Sequence, residues 1–531
     1  MLRRSFATPF GVACAFAIVL GFIVRARPVL LADFPLNDGG LFYLMTEELQ
    51  HAQFRLPAFT AYNGVGIPFA YPPFGFYVAG VLADVTSSSL VDVVRLLPLV
   101  ATCATLIVFL LLAREMLGDR VAVVAALASF ALVPRSFIWL VMGGGLTRSF
   151  GFLFTMLALH QAYLLFTRKQ MRFAVSAGVF TGLTPLSHLG TAPFLAISLL
   201  IFFAAYGRHR HGVMGLAVIG MVALVASAPW WITILRVHGL APLAAAGGTG
   251  GSILTPGVGR AAAGRLARLG ALATGEPLFP VIGVLALLGA LACVTRVALT
   301  LPIWWVATLA MDARAGTTYA TLPVSLLAGI GVSEVLRPLI AARLPVSSVS
   351  PWRRNAIAAA VIGFFVVYST ASAMLRNADM GAEAAVLTSV SSEERDAMRW
   401  VATNTPSTSQ FFVVPEDGWP YDKVAEWFPV LARRQSVATV QGREWLPNGD
   451  FARYVALYGK AQGCAARDAR CLDQWADTSG RSFTHVFIPR APAGACCRRL
   501  SESLRSDPRY AVVFDGPGGE VFARQGLSRV D

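Results

Sequence analysis

Carboxylates are concentrated in one polar stretch near the amino terminus of an otherwise apolar chain. Asp33, Asp38, Glu47 and Glu48 lie within sixteen residues, although only 14% of all residues are charged. A carboxylate can act as a general base on an attacking hydroxyl group. Charged groups beside membrane-spanning helices are costly and are therefore functional candidates. The first hypothesis is a catalytic carboxylate in this stretch, and Asp38 is the predicted one.

Further candidates lie at the ends of later apolar runs, which the predicted topology places on the same outer face. Arginine suits phosphate binding because its planar donors bind phosphate oxygens bidentately. Arg148 and Arg314 are the predicted phosphate ligands, and Arg95 is a further candidate. The remaining predicted substrate contacts are Asp33, as a possible partner of Asp38, and His188 and Asp312.

Each of these side chains also has a structural interpretation, which the sequence leaves open. Glu47 and Glu48 fit the solvated face of a surface helix better than they fit a site. Asp312 and Arg314 are equally well explained as an ion pair. His188 fits a structural histidine at the rim of a helix somewhat better than a catalytic one.

The elements that must position these residues are membrane helices. The chain is 56% hydrophobic with a mean hydropathy of +0.61, and several apolar runs approach the roughly 20 residues that cross a bilayer. We count about eleven such runs. The net charge of +14 comes largely from short basic loops between them, which indicates positive-inside topology and predicts no nucleic-acid partner.

The predicted organisation has two parts. Residues 1–377 form a transmembrane domain whose first outer loop, 27–94, carries the catalytic residue, and residues 378–531 form a soluble α/β domain. Arg3 and Arg4 before the first apolar run predict a cytoplasmic amino terminus and no cleaved signal peptide. An odd number of spans then places the carboxy-terminal domain outside. Its pattern predicts a helix, two buried strands and a hairpin, at 391–403, 410–414, 485–488 and 509–523.

Cysteines give an independent indication of compartment. Four of the seven cysteines fall in the polar carboxy-terminal region. Their spacing fits no familiar zinc site, and adjacent cysteines are poor joint ligands, so disulfides are preferred over metal, with free thiols still open. The candidate disulfide residues are Cys464, Cys471, Cys496 and Cys497.

The order of features around Asp38 resembles a known superfamily. An apolar helix precedes Asp38, and the segment Pro72-Pro73-Phe74 follows it in the same loop, before the next span opens near Arg95. This order is similar to that of the GT-C membrane glycosyltransferases, in particular the branch of protein O-mannosyltransferases and aminoarabinose transferases. That branch has an Asp-Glu pair and a Pro-Pro-Leu segment. Gly39 stands here in place of the Glu, and Tyr71 stands where a lysine is common.

The resemblance implies an enzyme of the bacterial cytoplasmic membrane that transfers a sugar from a polyprenyl-phosphate donor to an extracytoplasmic acceptor. It implies no cofactor. A divalent metal, used in the oligosaccharyltransferase branch, is open but not favoured, because Asp33 and Asp38 do not form an Asp-x-Asp pair. The segments Glu426–Pro429 and Ser436–Gly442 resemble tails of uncharacterised bacterial proteins in this group. The resemblance assigns these segments no role.

Two other functions remain open from the sequence. One is a non-enzymatic membrane protein, such as a transporter, a flippase or a scaffold with an extracytoplasmic sensing domain. Transporters are expected to carry charges near the bilayer midplane and internal repeats, whereas the charges here lie at the ends of apolar runs. The other is a degenerate transferase, which the departures at Gly39 and Tyr71 keep open.

Overall fold

The chain is mostly helical. The computed structural model describes residues 8–249, 274–277, 279–311, 316–343, 351–377, 387–447, 451–490 and 496–525. The helices of the first 377 residues are Pro9–Leu31, Gly40–His51, Phe74–Thr86, Leu90–Met116, Arg120–Leu132, Gly145–Arg168, Arg172–Ser187, Thr191–Tyr206, Arg210–His238, Ala241–Thr249, Val281–Thr295, Thr300–Met311, Gly316–Tyr319, Thr321–Ile330, Arg337–Arg343 and Pro351–Asn377.

Five of these helical stretches are long and apolar enough to cross a membrane: Pro9–Leu31, Leu90–Met116, Gly145–Arg168, Arg210–His238 and Gly316–Ala342. Further apolar helices are shorter, such as Thr191–Tyr206 and Val281–Thr295. Each apolar run counted in the sequence coincides with a helix, so the membrane-embedded helical class is confirmed. The number of eleven spans stays a prediction.

Helix starts follow the expected capping chemistry. The hydroxyl of Thr8 accepts a hydrogen bond from the Gly11 N–H, and Pro9 occupies the first helical position. Glycine runs favour flexible loops, but the Gly-rich segment after Arg236 begins as a helix, Ala241–Thr249, which includes Gly247 and Gly248. The rest of that segment, 250–273, lies outside the described residues.

The first outer loop is itself structured. It contains the helices Gly40–His51 and Phe74–Thr86 and a short antiparallel pair, β1 (Phe59–Thr60) and β2 (Ile67–Pro68). The helix Phe74–Thr86 begins directly after Pro72-Pro73. The side chain of Glu48 accepts a hydrogen bond from the Ala61 N–H at 2.7 Å, so this half-buried residue supports the loop rather than lying on a solvated helix face.

The carboxy-terminal region contains a five-stranded mixed sheet. Its strands are β3 (Gln410–Val413), β4 (Gln435–Ser436), β5 (His485–Pro489), β6 (Tyr510–Gly516) and β7 (Gly519–Arg524), and its helices are Ser392–Asn404, Lys423–Leu431, Phe451–Cys464, Arg470–Ser479 and Arg498–Ser506. The strand order is β4-β3-β5-β7-β6. Strands β4, β3 and β5 are parallel, whereas β5, β7 and β6 are antiparallel. The predicted hairpin is β6–β7.

Successive side chains of β3 point to opposite faces of the sheet, and each face packs against a different cluster. Phe412 packs on one face in a cluster with Trp475 and Leu500, while Phe411 faces the opposite cluster. That second cluster also contains residues of the first outer loop, including Leu41. The carboxy-terminal region is therefore packed directly on the loop that carries Asp38.

Both cysteine pairs of the carboxy-terminal region are bonded: Cys464 with Cys471, and Cys496 with Cys497. Cys14, Cys103 and Cys293 are free thiols. We expect denatured, unreduced protein to be alkylated at these three cysteines and reduced protein at all seven. Intact-mass measurement counts the adducts.

The double variant Cys464→Ser/Cys471→Ser is the control for this count. It should still show three adducts before reduction and five after it, which is seven minus two. Seven adducts on unreduced wild-type protein would instead place the carboxy-terminal region in a reducing compartment.

Candidate active site

Asp38 is held between the first outer loop and the start of the helix Gly145–Arg168. Its Oδ1 accepts a hydrogen bond from the Gly144 N–H at 2.8 Å. Its Oδ2 forms an ion pair with Arg148 Nη2 at 2.7 Å. The two side chains are only 15% and 23% exposed, so this pair is screened less by solvent than a surface ion pair.

Glycines permit this close approach. The Gly143 N–H donates to the Leu36 carbonyl at 2.9 Å, which brings the two backbones together. A Cβ at Gly144 would lie 2.3 Å from Asp38 Oδ2, and one at Gly39 would lie 2.8 Å from the Gly143 Cα. Gly39 also has a φ of +120°, which side chains rarely adopt. The side chain that the superfamily pattern suggests at this position therefore has no room.

Gly39→Ala should lower the free energy of unfolding by about 2–4 kcal/mol, because it adds backbone strain and an overpacked contact. Gly64→Ala is a matched control, since Gly64 also has a positive φ but nothing lies within 4 Å of its Cβ position. The control should cost only about 1–2 kcal/mol. Thermal unfolding in detergent measures both variants, and equal losses would contradict the steric explanation.

The carboxy-terminal region contributes a second carboxyl group next to Asp38. The Gly39 N–H donates to Glu426 Oε1 at 2.8 Å, and the Tyr62 hydroxyl donates to the Glu426 carbonyl at 2.7 Å. The neighbouring Trp427 donates from Nε1 to the Asn37 carbonyl at 3.0 Å. Burial, and then the charge of Asp38, raise the pKa of Glu426 to about 8.

Asp38, Arg148 and Glu426 line one cavity of about 480 Å³, which is large enough for a small-molecule ligand. Its lining includes the titratable groups Asp38, Tyr71, Arg148, His188, Glu426 and Glu444. Aromatic rings form much of the remaining wall, including Phe42, Trp139, Tyr319, Trp419 and Trp445. The mixture of apolar walls and a few convergent polar groups is typical of a binding site.

Several side chains in this wall have defined roles. Arg148 is held in place by a hydrogen bond from its Nε to the Trp139 carbonyl at 2.9 Å. The Tyr71 ring contacts the rings of Phe42 and Trp445 at centroid distances of 4.7 and 5.0 Å. Burial and the charge of Glu444 raise the pKa of Tyr71 above its usual value, so its hydroxyl stays protonated.

The structure brings together three of the predicted site residues, Asp38, Arg148 and His188. Two others have different partners and do not line the cavity. Asp33 forms an ion pair with Arg395 of the carboxy-terminal region, so it is not the partner of Asp38. Arg95 donates to the Ala32 carbonyl at 2.7 Å and pairs with Asp92 at 3.2 Å.

The remaining predicted residues, Asp312 and Arg314, lie outside the described residues. The preceding residue, Met311, lines the cavity. Glu276 accepts a hydrogen bond from the Thr274 hydroxyl and from the Ile282 N–H at the start of the helix Val281–Thr295. This is the local support that a helix start needs.

Sequence reasoning missed the residues that the carboxy-terminal region contributes, namely Trp419, Glu426, Gln441, Glu444 and Trp445. Four of these five are an acidic or an aromatic residue, the types that commonly form sites. The only available signal was the resemblance of Glu426–Pro429 and Ser436–Gly442 to other tails in the group. That resemblance assigned them no role.

The cation beside Asp38 is the Arg148 guanidinium, which donates to its Oδ2, while the Gly144 N–H donates to its Oδ1. Within the described ranges, no group of three or more His, Cys, Asp and Glu side chains is arranged to hold a metal ion. Metal independence itself stays a prediction.

Comparison with known proteins bears on the fold. No protein-family model matches the chain, and no curated protein matches it. Among solved structures, the oligosaccharyltransferase AglB from Archaeoglobus fulgidus, in complex with an inhibitory peptide and a dolichol-phosphate, has a TM-score of 0.55 at 16% identity. The alignment covers 90% of this chain and 69% of AglB.

Two further structures align over nearly the whole chain. The arabinofuranosyltransferase AftD from Mycobacteria has a TM-score of 0.57 at 15% identity, covering 97% of this chain and 40% of AftD. ArnT from Cupriavidus metallidurans has a TM-score of 0.50 at 15% identity, covering 96% of this chain and 97% of ArnT. These neighbours are GT-C proteins, and the chain shares their fold.

Proposed function

We propose that this chain with a GT-C fold is a membrane glycosyltransferase, which moves a hexosyl or pentosyl group from a polyprenyl-phosphate donor to an extracytoplasmic acceptor. The observation that carries the proposal is the Asp38–Arg148 pair in a cavity of ligand size. A carboxylate beside a guanidinium offers a base for a hydroxyl group and a cation for a phosphate. The acceptor is a glycan, a lipid or a protein.

The proposed reaction is a direct transfer. Asp38 accepts the proton of an acceptor hydroxyl while the acceptor oxygen forms a bond to the anomeric carbon. The bond between that carbon and the phosphate oxygen breaks, and its electron pair leaves with the polyprenyl phosphate. The proton then passes from Asp38 to solvent. Each carboxylate oxygen of Asp38 has a further lone pair for this step, although both already accept one hydrogen bond.

Arg148 is the proposed ligand of the donor phosphate. Its Nε and one Nη group are engaged by Trp139 and Asp38. Among the described residues, no protein group accepts a hydrogen bond from the other Nη. An incoming phosphate oxygen could bind there and would compete with Asp38 for the guanidinium, which would free the base as the donor arrives.

The proposed location is a bacterial cytoplasmic membrane, with the amino terminus inside and the carboxy-terminal region outside. Two independent observations support this orientation. Basic residues such as Arg168 and Arg296 lie at helix ends that would face the cytoplasm. The bonded cysteine pairs of the carboxy-terminal region suit an oxidising compartment.

A transfer assay tests the proposal. The purified full-length protein in liposomes is incubated with radiolabelled polyprenyl-phosphate sugars, one hexose or pentose at a time, and with cell-envelope acceptors. Release of polyprenyl phosphate with labelling of an acceptor is the expected result. Absence of transfer from every donor, with donor binding retained, would indicate a degenerate transferase. Movement of the intact donor across the bilayer would indicate a flippase.

A further inference from the structure

We infer that Glu426 is a second, protonated acid of this site, which donates a hydrogen bond from its carboxyl group to a phosphate oxygen of the lipid-linked donor. The inference rests on the proposed function, since it takes the phosphate to bind beside Arg148. Because Glu426 belongs to the helix Lys423–Leu431, the carboxy-terminal region becomes part of the donor site.

Glu426 is fixed in position by contacts to the loop that carries Asp38. Its side chain accepts from the Gly39 N–H, and its carbonyl accepts from the Tyr62 hydroxyl. A Cβ at Gly40 would lie only 2.9 Å from that carbonyl oxygen, so the two segments are in close contact. The residue is 6% exposed, yet it lines the cavity together with Asp38.

The charges in the cavity favour a neutral Glu426. Among the cavity-lining residues that the structure describes, Arg148 is the arginine, and Asp38 already opposes its charge, so a second ionised carboxylate would have no arginine counter-charge from this part of the chain. The N–H groups of Gly39 and Leu41 favour the ionised form, but burial and the charge of Asp38 outweigh them. Among the described residues, the other titratable groups that face this region include Tyr62, Tyr71, His188, Tyr319 and Glu444.

Protonation changes what Glu426 can bind. A neutral carboxyl group has one O–H donor, and a phosphate oxygen is a strong acceptor. An ionised carboxylate has no donor and repels an anion. Glu426 and Arg148 line the same cavity, so a phosphate bound by Arg148 would lie in the space that the Glu426 carboxyl group faces. Donor binding should therefore weaken as Glu426 loses its proton with rising pH.

Binding of undecaprenyl phosphate to the full-length protein in detergent tests this step without requiring transfer. The Kd is measured from about pH 7 to about pH 10 for the wild type, Glu426→Gln and Glu426→Ala. Above about pH 8 the wild-type Kd should rise about tenfold per pH unit. Glutamine keeps a donor without a titrating proton, so its Kd at pH 7 should lie within about threefold of wild type and stay flat.

Alanine removes the donor, so Glu426→Ala should bind about tenfold more weakly at pH 7. Glu416→Gln is the matched control, because burial also raises the pKa of Glu416 to about 8, in the same carboxy-terminal region. Glu416 does not line the cavity, so this variant should follow the wild-type curve. Titration of the probe phosphate affects all four proteins equally, so it cancels when their Kd values at the same pH are compared.

Two results would overturn the inference. One is a Glu426→Gln curve that keeps the alkaline rise of the wild type. The other is equal weakening by glutamine and alanine at pH 7 in proteins that remain folded. If the expected pattern appears but no donor supports transfer, Glu426 still binds phosphate and the proposed transferase activity fails. The two ideas are therefore separable.

Discussion

Asp38→Asn should lower the rate of sugar transfer by about 10²–10⁴-fold, the usual contribution of a general base. The amide can still accept the hydrogen bond from Gly144, but it cannot take a proton from the acceptor. Binding of the donor should persist, because Arg148 remains and loses a competitor. The expected signature is a large fall in kcat with little change in the donor KM, measured with labelled polyprenyl-phosphate sugar.

Two measurements distinguish loss of the catalytic base from loss of the folded structure. Asp38→Asn leaves Arg148 without its counter-charge in a poorly exposed position, so thermal unfolding must show a folded protein. Asp33→Asn is the comparison, because Asp33 lies in the same loop but pairs with Arg395 and is 66% exposed. It should change kcat by less than about fivefold. Full turnover by Asp38→Asn would refute the assignment of the base.

The sequence allowed the helices, and the position of Asp38 just beyond the first of them, to be predicted because their signals are local. An apolar run identifies a helix by itself, and an acidic residue just beyond its end is visible within a few positions. Arg148 followed from the same logic, since it lies just inside the helix that begins at Gly145. In each case the sequence pattern that supports the prediction extends over no more than one helical turn or one apolar run.

The place of Glu426 in this site could not be predicted, because it depends on a contact with a residue 387 positions away in the sequence. Nothing near it in sequence indicates that its carboxyl group meets Gly39. The same limit applies to Asp33, which looked equivalent to Asp38 until the structure placed it beside Arg395, 362 positions away. Side-chain direction in an irregular loop is determined by tertiary contacts rather than by local periodicity.

The contacts of Gly39 explain why a glycine stands where the superfamily pattern has a glutamate. Its backbone N–H binds Glu426, and its missing side chain makes room for Gly143. A carboxyl group from the other end of the chain therefore lies beside the position that looked like a lost carboxylate. Degeneration of the site does not follow from the sequence departure alone.

Arg148→Gln should raise the donor KM and lower kcat, with a combined loss in kcat/KM of about 10²–10³-fold, as expected for the loss of one phosphate-binding cation. Arg148→Lys keeps the charge but loses the planar donors that contact Trp139 and Asp38 together. It should recover only part of the activity, about tenfold below wild type. Steady-state kinetics with purified protein separates the two parameters.

Arg95→Gln is the informative comparison, because Arg95 was also a candidate from sequence but binds Ala32 and Asp92 instead. Its effect on kcat/KM should stay below about threefold. Raising the salt concentration should weaken donor binding less in Arg148→Gln than in the wild type, since the variant has lost the charge that salt screens. Equal effects of the two arginine substitutions would mean that the donor phosphate is not bound at Arg148.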